Sequence, residues 1–173
     1  MFYSHSLVVR RAESISKKMT VQKSIETAFA SIPYPGHDKI ADHQNCPECD
    51  ELRQHFCGAT WRGHTIAELQ QYQSALPLFT PEALQYFLPA YMLVSYGAWS
   101  EADMIPFSIL QICLPPPPDT DVALQKHNEE RYAIFTRPQR EAIAMYLLEW
   151  SRSDSLVLGA EDIPRAIERL LRQ

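Results

Sequence analysis

The apolar segment at residues 81–97 constrains the fold more than any other feature of the chain. It reads PEALQYFLPAYMLVSYG and is apolar on nearly every side. Thr80, Pro81 and Glu82 form a helix-start signal, because threonine caps unpaired N–H groups and an acid suits the positive helix end. A helix that is hydrophobic all round must be buried. The segment therefore predicts a central core helix, kinked or split at Pro89.

Similar start and stop signals divide the rest of the chain into further helices. Thr20 and Thr136 each precede an apolar stripe at helical spacing, and Thr65 with Glu68 fits a capping box. The strand-like run at residues 155–159 is too short to make a sheet by itself. These patterns predict an all-α fold, a single compact domain of about seven helices around the kinked apolar helix.

The first eighteen residues differ in character from the rest of the chain. They carry four basic side chains and one acidic one, and they have no small-residue cleavage site after a hydrophobic run, so they do not fit a signal peptide. We expect residues 1–18 to be a loose basic extension and residues 19–173 to be the helical domain. No stretch reaches the ~20 apolar residues of a membrane-spanning helix. The sequence therefore predicts a cytoplasmic protein with no membrane partner.

The charge of the chain favours some partners over others. Its formal net charge is -5, and residues 38–103 carry nine acidic and three basic side chains. Carboxylates repel phosphate backbones, so we expect no binding of nucleic acid. An acidic surface accelerates association with a basic protein. The alternative is a solvated acidic face that only keeps the protein soluble.

Three of the four cysteines lie within twelve residues of one another. Without a secretion signal, cysteines are expected as reduced thiols and not as disulfides. The Cys46-Pro-Glu-Cys49 sequence starts a predicted helix, where the helix dipole favours thiolates for metal binding or disulfide exchange. Such thiols also occur simply as small packed hydrophobes. A tetrahedral zinc site needs four ligands. The candidates are His43, Cys46, Cys49 and Cys57, with His55 as an alternative to Cys57.

Signatures of catalysis are missing from the sequence. The five glycines form neither a phosphate-binding glycine motif nor a GxSxG nucleophile turn. Cys57 with His55 or His64 as its base lacks a visible third group to orient the base. The sequence therefore favours a non-enzymatic protein.

Three motifs indicate a family. They are IETAFASIPYPG at residues 25–36, ECDELRQHFCGATW at 48–61 and LFTPEALQYFLPAYML at 78–93, followed by the helix start at Thr136. With them the chain resembles a group of small bacterial proteins defined only as a domain of unknown function, over residues 20–150. The resemblance implies a bacterial source and a shared fold, and it implies no activity, cofactor or site residue.

The sequence supports two hypotheses for function. The first is a cytoplasmic protein-binding module without a cofactor, such as an immunity protein or antitoxin that neutralises a basic toxin. Acidic rims around an aromatic anchor suit such interfaces, although a tryptophan is also a common core residue. The candidate contacts are Asp42, Glu48, Asp50, Glu51 and Trp61. The second hypothesis is a zinc-binding or thiol-redox protein centred on Cys46 and Cys49.

Overall fold

A computed structural model describes residues 19–41, 46–153 and 159–172 of the chain. These ranges contain eight α-helices and two short 3₁₀ helices, and their β-type pairing is an isolated bridge between Ala41 and Phe79. The all-α prediction is confirmed. The α-helices are α1 (Val21–Ala28), α2 (Pro47–Phe56), α3 (Ile66–Gln71), α4 (Pro81–Ser95), α5 (Ile105–Cys113), α6 (Val122–Ala133), α7 (Arg137–Trp150) and α8 (Ile163–Leu171), and the 3₁₀ helices are His37–Lys39 and Leu76–Leu78.

The predicted threonine caps are present at the starts of α1, α3 and α4. The hydroxyls of Thr20, Thr65 and Thr80 each accept a hydrogen bond from the backbone N–H three residues further on, at 3.3, 3.2 and 3.1 Å. At α3 the capping box is complete, because the Thr65 N–H donates to Glu68 Oε2 at 3.3 Å. Local side-chain chemistry therefore sets where these helices begin.

The apolar helix α4 lies in the core, as predicted. Ten of its fifteen residues are buried. The helix continues through Pro89 without being split, and Pro89 itself is buried. Buried side chains from every other α-helix except α6 join α4 in one apolar cluster, so a single core supports the described part of the chain.

A buried glutamine ties three helices together. Gln139 of α7 is fully buried, and its Oε1 accepts hydrogen bonds from the Thr136 N–H at 2.9 Å and from Gln85 Nε2 of α4 at 2.9 Å. Its Nε2 donates to the carbonyl oxygen of Ala28 at the end of α1, at 3.3 Å. Both the oxygen and the nitrogen of the Gln139 side-chain amide therefore have hydrogen-bond partners, as buried polar groups require.

Helix α6 begins after Asp121, whose carboxylate accepts the Ala123 N–H at 2.8 Å and so caps the helix. Residues 1–18 and nearly all of the strand-like run at 155–159 lie outside the described residues. Among the helices in the described ranges, none combines the length and the apolar character needed to cross a bilayer.

Candidate metal centre

The predicted cysteine ligands lie at opposite ends of α2. Cys46 is the N-cap, and its sulfur accepts the Cys49 N–H at 3.3 Å, whereas Cys57 is the C-cap. Ten helical residues lie between Cys46 and Cys57 and place them about 16 Å apart along the helix, so Cys57 cannot share an ion with Cys46. Cys49 is fully buried, and His43 lies outside the described residues. A site formed by His43, Cys46 and Cys49 stays a prediction.

The predicted partner contacts also separate. Glu48, Asp50 and Glu51 are exposed on α2, and Asp50 pairs with Arg53 of the same helix at 2.6 Å. Trp61 is only 3% exposed and belongs to the apolar core, which matches the alternative role considered for it. Asp42 lies outside the described residues. The acids are thus available to a partner, but Trp61 is not a surface anchor.

A different cluster brings metal-binding side chains together in the described residues. His55 lies near the end of α2, His64 lies in the loop that leads to α3, and Glu68 lies in the first turn of α3. One potential ligand atom from each of the three falls within 4.8 Å of the others. Oε1 of Glu68 is the centre, at 2.9 Å from His64 Nδ1 and 3.1 Å from His55 Nε2.

The loop between α2 and α3 explains why these residues meet. Gly58 and Gly63 have φ angles of 69° and 86°, which are favourable only for glycine, and they let the chain reverse after α2. The capping box then fixes Glu68, because Thr65 holds its Oε2 and leaves Oε1 directed towards the imidazoles. One carboxylate therefore serves both the helix start and the cluster.

The His55 ring is held by aromatic contacts. It stacks on Tyr72 with the ring centroids 4.2 Å apart, and it meets Phe56 edge to face at 4.7 Å. Its Nε2 is buried and makes no hydrogen bond within the described part of the chain, although Glu68 Oε1 is near enough for ionic contact. Buried polar atoms without a hydrogen bond are rare in proteins and need a specific explanation.

The hydrogen bonds of His64 restrict what can lie between it and Glu68. Its Nε2 is 2.8 Å from the carbonyl oxygen of Thr60, which only accepts, so Nε2 carries a hydrogen and donates. Its Nδ1 faces the Glu68 carboxylate at 2.9 Å. Two acceptors cannot face each other at this distance without a cation between them. The cation is either a proton on Nδ1 or a metal ion.

The electrostatics of Glu68 agree with a negative charge at the centre of the cluster. Partial burial by itself raises the pKa of this carboxyl. The hydrogen bonds from His64 and Thr65 and the positive charges of His64 and His55 outweigh burial, so the pKa of Glu68 is lower than usual. Glu68 is therefore an ionised carboxylate with two imidazole nitrogens beside it.

Comparison with known proteins places the chain in a family. A family model described as a family of unknown function, DUF6714, matches residues 17–169. The chain belongs to the DUF6714 family. This confirms the resemblance to a family of unknown function that the motifs indicated. No curated protein and no solved structure matches this DUF6714 chain.

The ligand set of this DUF6714 chain fits a transition-metal ion. Two histidines and one carboxylate are the ligands of many zinc enzymes and of non-haem iron oxygenases. Ligand atoms of tetrahedral zinc lie about 3.3 Å apart, and the observed distances of 2.9 and 3.1 Å are close to this value. The bond from His64 to Thr60 is the outer contact that usually orients a metal-binding imidazole.

The sequence predicts separate and different roles for these three residues. His55 is a candidate zinc ligand beside the cysteines, His64 is a candidate base for Cys57, and Glu68 is part of a helix cap. The local signal that joins two of them is the spacing of His64 and Glu68, which are four residues apart across a predicted capping box.

Proposed function

We propose that this protein binds a divalent transition-metal ion, foremost zinc, at His55, His64 and Glu68. The observation that supports this proposal best is the position of Glu68 Oε1, which lies 2.9 and 3.1 Å from two imidazole nitrogens. The other nitrogen of His64 is already committed to Thr60. A metal ion would be bound by the available lone pairs of all three side chains. It would thereby give the buried Nε2 of His55 a partner.

Three protein ligands leave room for a water molecule on the ion. Structural zinc sites use four protein ligands, whereas zinc sites with three ligands carry a water that the metal activates. The Glu68 side chain is 34% exposed, so solvent reaches the cluster. The proposed ion would therefore carry an exchangeable water, in contrast to the non-enzymatic function that the sequence favours.

The partner-binding hypothesis stays a prediction. The exposed acids Glu48, Asp50 and Glu51 support attraction of a basic protein, such as a toxin. The burial of Trp61 removes the aromatic anchor proposed for that interface. We therefore rank an immunity or antitoxin role below metal binding, and no separate observation raises the thiol-redox role above either.

Calorimetric titration of the metal-free protein with Zn²⁺ tests the proposal. We expect one ion per chain and a loss of affinity of at least about 100-fold for His55→Gln, His64→Gln and Glu68→Gln, because each removes a direct ligand. Glutamine at position 68 keeps an oxygen for the capping box. His127→Gln on α6 and Cys46→Ser are the matched controls and should bind like the wild type.

The possible outcomes distinguish the site at His55, His64 and Glu68 from a site at the cysteines. Binding that is lost in Cys46→Ser and retained in His64→Gln would move the site to the cysteines. No binding by a folded wild-type protein would refute metal binding altogether. Circular dichroism of each metal-free variant establishes that a lost affinity is not a lost fold.

A further inference from the structure

A polar pocket lies where α6, α7 and α8 meet. Its volume is about 540 Å³. Four arginines and two glutamates line it, which gives an excess of two positive side chains in a protein whose formal net charge is -5. These side chains are Glu129 of α6, Arg140 of α7, and Arg165, Glu168, Arg169 and Arg172 of α8 or its C-terminal end.

The wall of the pocket is rigid around Arg169. The Arg169 side chain is only 11% exposed, and its guanidinium lies 3.9 Å from the centre of the Tyr132 ring. It donates hydrogen bonds to the carbonyl oxygen of Leu114 at 2.6 Å and to Glu129 at 2.9 Å. The Tyr132 hydroxyl in turn donates to the carbonyl oxygen of Arg169 at 2.8 Å. This cation is therefore held in place before any ligand arrives.

Arg140 is the cation in the pocket that lacks a counter-charge. In the described ranges it forms no ion pair with a carboxylate, and its hydrogen bond from Nη1 to the carbonyl oxygen of Phe135 is long, at 3.4 Å. Its Nε is buried and has no hydrogen-bond partner among the described residues. An arginine cannot lose its charge, so a buried and unsatisfied guanidinium N–H carries a free-energy cost that an anion would remove.

The two remaining arginines lie at the rim. Arg165 pairs with Asp162 and Arg172 pairs with Glu168, each at 2.9 Å, and both arginine side chains are more than half exposed. Exposed pairs of this kind contribute little to stability and rearrange easily. Each guanidinium has further N–H donors that can turn towards a ligand in the pocket.

We propose that this pocket binds the phosphoryl group of a small phosphorylated molecule. A phosphate ester carries nearly two negative charges at neutral pH, which suits a pocket whose lining side chains are more often positive than negative. Guanidinium groups bind phosphate oxygens through paired hydrogen bonds. The volume exceeds what a bare phosphate fills and lies in the range of small-molecule sites. The pocket is formed by α6, α7 and α8 and shares no residue with the proposed metal centre on α2 and α3.

Titration of metal-free protein with inorganic pyrophosphate tests this proposal, at a fixed ionic strength of about 0.15 M so that long-range effects of charge are screened. We expect saturable binding that weakens at least about tenfold in Arg140→Gln, because a charge-assisted hydrogen bond contributes about 1.5–3 kcal/mol. Arg140→Lys keeps the charge but not the paired donors and should lie between the two. Arg172→Gln, at an exposed position, should weaken binding and still fold.

Arg137→Gln is the matched control, because it removes the same charge from α7 at a position outside the pocket, where Arg137 pairs with Glu141. Its affinity should equal that of the wild type. An equal loss in Arg137→Gln and Arg140→Gln would show attraction by overall charge and overturn the proposal. So would the absence of saturable binding by the wild type. If Arg140→Gln fails to fold, Arg172→Gln against Arg137→Gln decides the question.

Discussion

The number of protons released when zinc binds identifies the ligands. At about pH 7.5, an ordinary imidazole with a pKa near 6.5 is mostly neutral and releases only about 0.1 proton, whereas two ordinary thiols with pKa values near 8.5 release about 1.8 protons together. Binding by two protonated thiols would therefore release nearly two protons per ion. The proposed centre should release a different number.

The structure fixes that number at about one. Nε2 of His64 donates to the Thr60 carbonyl, and Nδ1 faces the Glu68 carboxylate at 2.9 Å, so a proton must lie on Nδ1 when no metal is present. An ion that takes Nδ1 as a ligand displaces this proton. This displaced proton accounts for a release of about one proton per ion.

Calorimetry in three buffers with different protonation enthalpies measures the number, since the observed binding enthalpy changes in proportion to the protons that the buffer takes up. We expect His64→Gln to remove the release of this proton and His127→Gln to leave the release at about one proton per ion. A release near two protons that falls in Cys46→Ser would refute the reasoning and favour the thiols. A release near zero in the wild type would refute the inferred proton between His64 and Glu68.

Three further predictions concern the metal-free protein. Gln139→Ala removes the three hydrogen bonds of a buried side chain and should lower the free energy of unfolding in urea by about 3 kcal/mol, and a loss below about 1 kcal/mol would contradict the network. Folding lowers the pKa of Glu68, so its ionisation stabilises the folded protein above pH 4.5, and this stabilisation is lost as the pH falls below that value. The free energy of unfolding of Glu68→Gln should therefore depend less on pH in that acidic range than that of the wild type. Ser95→Ala leaves the buried hydroxyl of Tyr146 without its acceptor and should lower the free energy of unfolding, measured by thermal unfolding, by about 1–3 kcal/mol. Tyr146→Phe should cost less, because in that variant Ser95 still donates to the carbonyl oxygen of Tyr91.

The helix starts could be predicted because capping is local. A threonine hydroxyl and the N–H that it binds are three residues apart, so the sequence around Thr20, Thr65 and Thr80 contains the whole interaction. The burial of α4 was equally evident, because nearly every position along that helix is apolar. Fold class and most helix starts can be deduced from information of this kind.

The candidate centre could not be predicted in the same way. His55 and Glu68 are thirteen residues apart, and they meet because the chain reverses at Gly58 and Gly63. The arginine pocket depends on how three helices pack, which no short segment encodes. Arg131 shows the same limit, since its charged side chain is buried and donates to the carbonyl oxygens of Leu76 and Phe79, about fifty residues away in the sequence.

The double use of Glu68 links the proposed metal to the fold. Its Oε2 completes the capping box of α3, and its Oε1 is the atom that an ion would share with the two imidazoles. A helix of six residues is too short to persist without tertiary contacts. A ligand that binds only the folded state stabilises that state in proportion to the logarithm of its concentration. Zinc should therefore slow amide hydrogen exchange in α3, because any opening of this helix breaks the capping box and releases the ion. Unchanged exchange in α3 at saturating zinc would mean that the ion does not bind at Glu68.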